Sequence, residues 1–451
     1  MLRLPYEGER TTYKPKLQSA CKDNISFLYN KTLLFCKPCS QFFLACFVLY
    51  TYLCNKRICI MEKVEVIGNT VVKMWVNDID EFAREQVNNL ASLPFVYHHI
   101  ALMPDCHGGM GMPIGGVLPT TDVVIPNAVG VDIGCGMCAV KTNIRARRLT
   151  ENILRKVIMK GIRERIPLGM DHHEEMQDEK YLPSGFDLDK LQVVKNHYKS
   201  IHHQVGTLGG GNHFIELQRD EEGWLWIMIH SGSRNLGKQV GDFYNNRAKW
   251  FNELYYSKVE SGLMLPFLPL KTPEFNNYWR EMNYCIAFAK CNRHLMMERI
   301  KEVIADALPL AEFEPTIDIA HNYATWENHF GKNCIVHRKG AVRAREGEIG
   351  IIPGSQGTCS YIVEGLGNPD SFMSSSHGAG RLMSRTQAIK TLNLEEEIKK
   401  MEAKGIVHGI RNQRDLDEAS SAYKDIDQVI ALESDLVKVK TKLEPMAVIK
   451  G

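Results

Sequence analysis

Nowhere does the chain offer the roughly 20 consecutive apolar residues that a bilayer-spanning helix needs. Its most apolar run, Phe42 to Leu53, falls well short and is closed by Lys56 and Arg57. A secretory leader would place its apolar region nearer the N-terminus and end in small residues, so neither a membrane span nor export is expected. Charge of one sign is also missing: 55 Lys and Arg stand against 53 Asp and Glu, a net charge of +2. Residues 1–60 hold nine basic and three acidic residues, which leaves 46 and 50 for residues 61–451, or −4. Binding of a polyanion by bulk charge is thereby excluded, and any such ligand must be held by a local basic patch or by metal ions. From residue 61 there is no long low-complexity linker and no repeat of fixed period, which favours one large domain.

What is present is the composition of an ordinary globular protein, 44% hydrophobic and 24% charged, enough for a large core and too apolar for disorder. Six of the 13 cysteines (Cys21, Cys36, Cys39, Cys46, Cys54 and Cys59) fall in the first sixty residues, in a segment unlike the rest. The Cys36/Cys39 pair has metal-knuckle spacing, but structural zinc usually takes two such pairs. The expectation is that Met61 is the real start, or that residues 1–60 are a dispensable extension of a domain covering 61–451.

The pattern of the main body is mixed. Val64, Val66 and Val71 to Val76 alternate as strands do, and a helix is expected from Asp78 to Ser92, with Phe82, Ala83, Val87 and Leu90 on its inner face. Further helices are expected over Thr150–Arg165 and Pro273–Leu308, the latter with Tyr278, Met282, Cys285, Ala289, Met296 and Ile300 at helical spacing. Short apolar runs around Val117, Ala139, Phe214, Trp226, Ile335, Gly350 and Tyr361 predict strands. The fold class is α+β: a single large mixed domain with β-sheets flanked by helices.

Several loops after these strands carry chemistry. VGVDIGCGM (129–137) sets Asp132 and Cys135 on a glycine-rich turn, a hard and a soft donor together. GTLGGGNHFIEL (206–217) places Asn212 and His213 directly after three glycines, backbone suited to close approach of an anion. His230 ends an apolar run and begins HSGSRNLGK, where Gly232 to Lys238 mimics a Walker A loop, but Gln239 replaces its Mg²⁺-binding Ser or Thr and the P-loop reading is rejected. Ser233 and Arg234 suit phosphate without it. His321-Asn322 adds a third histidine at a strand end. Singly, each residue is more often a core histidine, a buried thiol or a turn-former. Together, one Asp, one Cys and three His exceed one tetrahedral site and would suit two metals sharing a thiolate with positions left open for phosphate oxygens, the arrangement expected for in-line phosphoryl chemistry. IPGSQGTCSY (352–361) and SSSHGAGR (374–381) form a pair of Gly/Ser loops, the second placing His377 among hydroxyls, backbone donors and Arg381. An imidazole there is a candidate metal ligand and a candidate nucleophile, since it can form a phosphoramidate.

With MPDCHGGMG, IPNAVGVDIGCGM, GGGNHFIEL, IHSGSR, the HN pair, PGSQGT, SHGAGR and a terminal IKG in this order, the chain resembles the RtcB-type RNA-splicing ligases. The resemblance spans residues 61–451 and leaves 1–60 without a counterpart. It implies a GTP- and Mn²⁺-dependent cytoplasmic enzyme joining an RNA 3′-phosphate or 2′,3′-cyclic phosphate end to a 5′-hydroxyl end, with His377 as the guanylylated nucleophile. Asp132, Cys135 and His213 would hold one manganese and Cys135, His230 and His321 the other. Asn212, His213, Phe214, Ile215, Glu216, His321, Asn322, Pro353, Gly354, Ser355, Gln356, Ser360, His377, Gly378, Ala379, Gly380, Arg381, Tyr423 and Lys450 would surround the guanylate, Tyr423 by stacking on the base. RNA is the implied partner, with an archease-type activator and no membrane. The Cys/His donor set by itself favours zinc, so manganese rests on the resemblance. No Lys-x-Asp-Gly motif of lysine nucleotidyltransferases is present, which favours the histidine route. Two rivals remain: a two-metal phosphoesterase or cyclic phosphodiesterase that ignores GTP, and a non-catalytic RNA-binding or metal-storage protein, which the slightly acidic main body disfavours.

Overall fold

The alternating residues at 63–74 pair as a hairpin, Lys63–Ile67 antiparallel to Thr70–Met74, with Val72 and Met74 buried and Val64 and Val66 facing solvent. The helix that follows is Glu81–Ala91 and begins three residues later than expected. Asp80 caps it, its Oδ1 accepting the Ala83 N–H at 2.8 Å, because a short carboxylate satisfies an otherwise unpaired N-terminal donor. Ala83, Val87 and Leu90 form its buried stripe, but Phe82 stands on the flank of that stripe and is 57% exposed, a correction to the expected face. The computed structural model describes residues 63–451, Tyr256 excepted. The Cys36/Cys39 pair and the Phe42–Leu53 run lie outside the described residues.

All seven expected strands are present, and they fall into two large sheets. One has six strands in the order 63–67, 70–74, 99–107, 114–120, 332–339, 322–329. The other has seven, in the order 317–320, 136–145, 224–231, 214–220, 437–450, 360–365, 349–352. The helix expected at 150–165 is continuous but contains a π turn at Leu154–Ile158. The longest helix is Pro273–Ala307, and all six of its expected core residues are fully buried. Its C-terminal half, through Met296, Met297, Ile300 and Ile304, packs on Cys138, Val140, Ile215, Ile227 and Ile229 of the seven-stranded sheet. Its N-terminal half, through Tyr278 and Met282, packs on Val240 and Tyr244 of a helix at Arg234–Leu254. Each such side chain contributes about 1.5–3 kcal/mol on burial.

Register decides where the chemistry sits. Ala320 pairs with Gly136, Gly136 with Ser231, His230 with Phe214, and Phe214 with Lys450. Five neighbouring strands therefore end or begin at one edge of the sheet, and His321, Cys135, His230, His213 and Lys450 are brought there from five separate stretches of chain. No described helix is long and apolar enough to cross a membrane.

Candidate active site

Buried Arg293 ties this edge together. Its guanidinium makes a two-pronged ion pair with Asp318 at 2.8 and 2.9 Å and donates to the Gly134 and Ser231 carbonyls at 3.0 and 3.1 Å, fixing the backbone on both sides of Cys135. The donors then converge. Cys135 Sγ lies 3.3 Å from both His213 Nε2 and His230 Nε2, His213 Nε2 lies 3.2 Å from Asp132 Oδ2, and His230 Nε2 lies 3.3 Å from His321 Nε2.

The protons required to join these groups by hydrogen bonds are too few. His213 Nδ1 faces the Leu208 carbonyl and His230 Nδ1 the Asn212 carbonyl, both at 3.1 Å, so each ring places its proton on Nδ1 and a lone pair on Nε2. One thiol proton can serve only one of the two lone pairs. Burial, with mutual repulsion, pushes the His230 and His321 imidazoles well below their usual basicity and keeps them neutral. The Asp132 side chain is 35% exposed and turns Oδ2 toward the His213 Nε2 lone pair at 3.2 Å, two electron-rich atoms that a cation between them would reconcile. A charged carboxylate, neutral inward-facing imidazoles and a thiol at these separations fit cations bound by bonds of roughly 2.0–2.3 Å. Cys135, His213 and His230 alone already satisfy the spacing of a metal-binding group.

His377 adjoins the cluster, its ring centroid 4.9 Å from that of His321. Asp105, fully buried at the strand 99–107, accepts the His377 backbone N–H at 3.0 Å and its Nδ1–H at 2.6 Å through the same oxygen, Oδ2. That fixes the ring through Nδ1 and leaves Nε2 on its opposite side. His377 separates two openings. The larger, about 540 Å³, is walled by Asn212, Phe214, His230, the 353–356 turn, the 377–381 loop, Tyr423 and Lys450. The smaller, about 340 Å³, is walled by Asp132, Cys135, Asn212, His321 and Asn322.

Some expected residues stand behind these walls. Ile215 is 1% exposed and its side chain is spent on the core. Glu216 is buried, its carboxyl pushed up to about 8 by burial, with Gln218 Nε2 donating to it at 2.6 Å and to Ser360 Oγ at 3.0 Å. The Asn322 amide is committed to the Gly340 N–H and the Asp132 carbonyl, at 2.8 and 3.1 Å. Arg381 lines the cavity but is held by Glu418 at 2.8 Å and by the Asp417 carbonyl at 2.6 Å. The Tyr423 hydroxyl donates to the same Glu418. In the Walker-like stretch, Lys238 points to Asp242 on the exposed side of its helix, as expected once the P-loop is rejected.

Sequence reasoning missed Asp105, Glu418 and Arg385. Glu418 is a buried acid gathering Arg381, Arg385 and Tyr423 around the cavity. Asp105 lies within the quoted MPDCHGGMG motif, so its signal was available. Glu418 sits in a run of acidic residues with nothing to single it out.

Fold and site together define an α+β enzyme built around a candidate multi-donor metal centre. A family profile described as tRNA-splicing ligase RtcB matches residues 86–190 and 178–451. The RNA-splicing ligase RtcB of Escherichia coli K12 is 39% identical over 412 residues, spanning 85% of this chain and 98% of that protein. The tRNA-splicing ligase RtcB of Nanoarchaeum equitans is 32% identical over 463 residues, spanning 85% and 96%. RNA-splicing ligase RtcB homolog 1 of Entamoeba dispar is 31% identical over 450 residues, spanning 81% of each. The chain belongs to the RtcB family.

Proposed function

We propose that this protein is an RNA ligase that uses GTP and Mn²⁺ to join RNA 3′-phosphate or 2′,3′-cyclic phosphate ends to 5′-hydroxyl ends. The observation that carries this reading is the placement of His377: oriented by Asp105, beside a five-donor cluster, and open to a nucleotide-sized cavity. Asp132, Cys135 and His213 would hold one cation, and Cys135, His230 and His321 the other. Bound cations would neutralise phosphate charge and stabilise the leaving pyrophosphate.

The chain's own residues supply the rest. His377 Nε2 attacks the α-phosphate of GTP, forming a P–N bond as the bond to pyrophosphate breaks. Asp105 holds the Nδ1 proton and balances the charge that develops on the ring. The guanylyl group passes to the RNA 3′-phosphate, which frees His377, and the RNA 5′-hydroxyl then displaces GMP to form the phosphodiester. A cyclic phosphate is opened first by hydrolysis. The Gly378–Gly380 loop presents backbone donors to the nucleotide, the Gly354–Gln356 turn walls it while its Gly354 and Ser355 N–H groups are held by Ser360 and Thr358, Tyr423 offers a ring, and Asn212 and Lys450 close the wall. The free thiols of the described residues, Cys135 among them, suit a reducing cytoplasm.

The test is incubation with α-³²P-GTP and Mn²⁺ beside His377→Ala, with and without an archease-type activator. Acid-labile label on the parent that vanishes in the variant is expected. No label from folded, metal-loaded protein in either condition overturns the ligase reading in favour of the phosphoesterase.

A further inference from the structure

Away from the cavity, basic side chains gather where residues 154–165 pass residues 408–411. Leu154, Ile158, Met159 and Ile162 bury one face of the helical segment and leave Arg163 exposed. Gly409 lies against that arginine: a side-chain carbon built on it would stand 3.8 Å from Arg163 Nη2. Arg411, two residues further on, is exposed as well, and Asp415 fixes its turn by accepting the Arg411 and Asn412 backbone N–H groups at 2.7 and 3.0 Å.

These cations are close enough to oppose one another. After burial, Arg411 and Arg155 are what lower the basicity of the Arg163 guanidinium, and the same two residues act on the His408 imidazole. Arg155 has Glu151 at 3.0 Å, and Glu402 is the acid that faces His408. Among the described residues, no carboxylate pairs with the Arg163 or Arg411 guanidinium. His408 is 6% exposed, and its Nδ1 has no hydrogen-bond partner. Uncompensated like charges on the exposed Arg163 and Arg411 cost stability, and phosphate oxygens would relieve them.

We propose that this patch is a second RNA contact, holding the phosphate backbone of a substrate whose end reacts at His377. The proposal rests on the ligase reading for the identity of the polyanion, and on connectivity for its place. The chain leaves Arg163 and within six residues, at most about 20 Å, reaches Gly169, whose N–H donates to the Gly209 carbonyl at 3.1 Å beside the terminal Gly451. From Arg411 it runs to Glu418 in the cavity wall. Both segments that build the patch thus end at the active site. The main body is slightly acidic, so a local patch is where a backbone must be gripped, and guanidinium forks match phosphate oxygens.

The experiment compares full-length parent with Arg163→Gln/Arg411→Gln, using a fluorescent 20-nucleotide RNA bearing a 3′-phosphate and titrating salt. Expected are an affinity loss on the order of tenfold and a fall of about 1.4 in the slope of log K against log salt, the release of two counterions from a single strand. Guanylylation by GTP and joining of ends only a few nucleotides long should be unchanged, which also shows that the variant is folded. Equal affinity and salt slope in a labelled, folded variant overturn the exosite and leave the ligase reading intact. Parent and variant that take no label, with RNA binding still weakened in the variant, overturn the ligase reading and leave the exosite. Loss of stimulation by an activator protein with RNA affinity unchanged assigns the patch to an acidic protein and overturns the proposal.

Discussion

Asp105 Oδ2 accepts two hydrogen bonds from one residue, the backbone N–H and the Nδ1–H of His377, 272 positions further along the chain. A single oxygen thereby sets the loop position and the ring tautomer together. Asp105→Asn removes the charge and offers an amide in place of one acceptor, so the imidazole loses the partner that keeps its proton on Nδ1. Single-turnover transfer of label from GTP to His377 should fall by roughly 10²–10⁴-fold, the range for loss of a positioned proton partner. GTP binding should change little, and a loss smaller than about threefold would remove Asp105 from the mechanism.

The same contact depends on a glycine. Gly380 has φ +74°, and a side-chain carbon there would lie 2.3 Å from the Asp105 carbonyl oxygen. Alanine must both enter a left-handed conformation and displace the strand that carries Asp105. Gly380→Ala should cost about 1–3 kcal/mol of stability and reduce guanylylation more than melting alone explains. Thermal unfolding and labelling measured on the same preparation check this, and a variant as stable and as active as the parent contradicts it.

Glu433 predicts a pH dependence of stability. It is fully buried, accepts the Ser376 N–H at 2.8 Å, and is pushed up to about 8 by burial, with Asp105 adding to the effect. The folded protein then holds a proton that the unfolded chain releases near pH 4.5. Its contribution is complete below that value and is lost as pH rises toward 8, with a slope of up to about 1.4 kcal/mol per pH unit. Glu433→Gln, which stays neutral, should flatten denaturant-measured stability between pH 5 and 8. Identical pH profiles for parent and variant would refute the assignment.

The residues most legible in sequence were those whose signal is local. Helical spacing in 273–307 identified its buried side, and histidines at the edges of apolar runs marked three of the proposed metal donors, because strands of one sheet begin and end at a common edge. Less legible was whatever depends on a distant partner. Asp105 and Glu418 act on residues brought near only by sheet topology. The strand Val437–Lys450 alternates with lysines and contains Pro445, so it does not read as an interior strand, yet it pairs on both sides and absorbs the proline at a bulge. The helix Arg234–Leu254 is disguised by Gly237 and Gly241, poor helix formers. The structure needs Gly237 because a side chain there would meet Ser233 Oγ and come within 3.1 Å of the Ile133 nitrogen, pushing the helix off the Asp132–Cys135 turn.

That turn carries the prediction with the widest consequence. Cys135 is the one donor within 3.3 Å of two imidazoles, and burial together with Asp132 pushes its thiol well above the usual range. The thiol therefore keeps its proton at neutral pH, and a cation must displace it to gain a thiolate. Binding should release about one proton from this group and tighten by up to about tenfold per pH unit. Cys135→Ala removes the donor proposed to be shared, so both cations should weaken at once, whereas Asp132→Asn should affect mainly one. Metal content after dialysis, and titration calorimetry in buffers of different ionisation enthalpy, measure stoichiometry and proton release directly. Two equivalents retained by Cys135→Ala would show that the thiol does not bridge. A binding constant independent of pH in the parent would show that the sulfur is not the atom that gives up its proton.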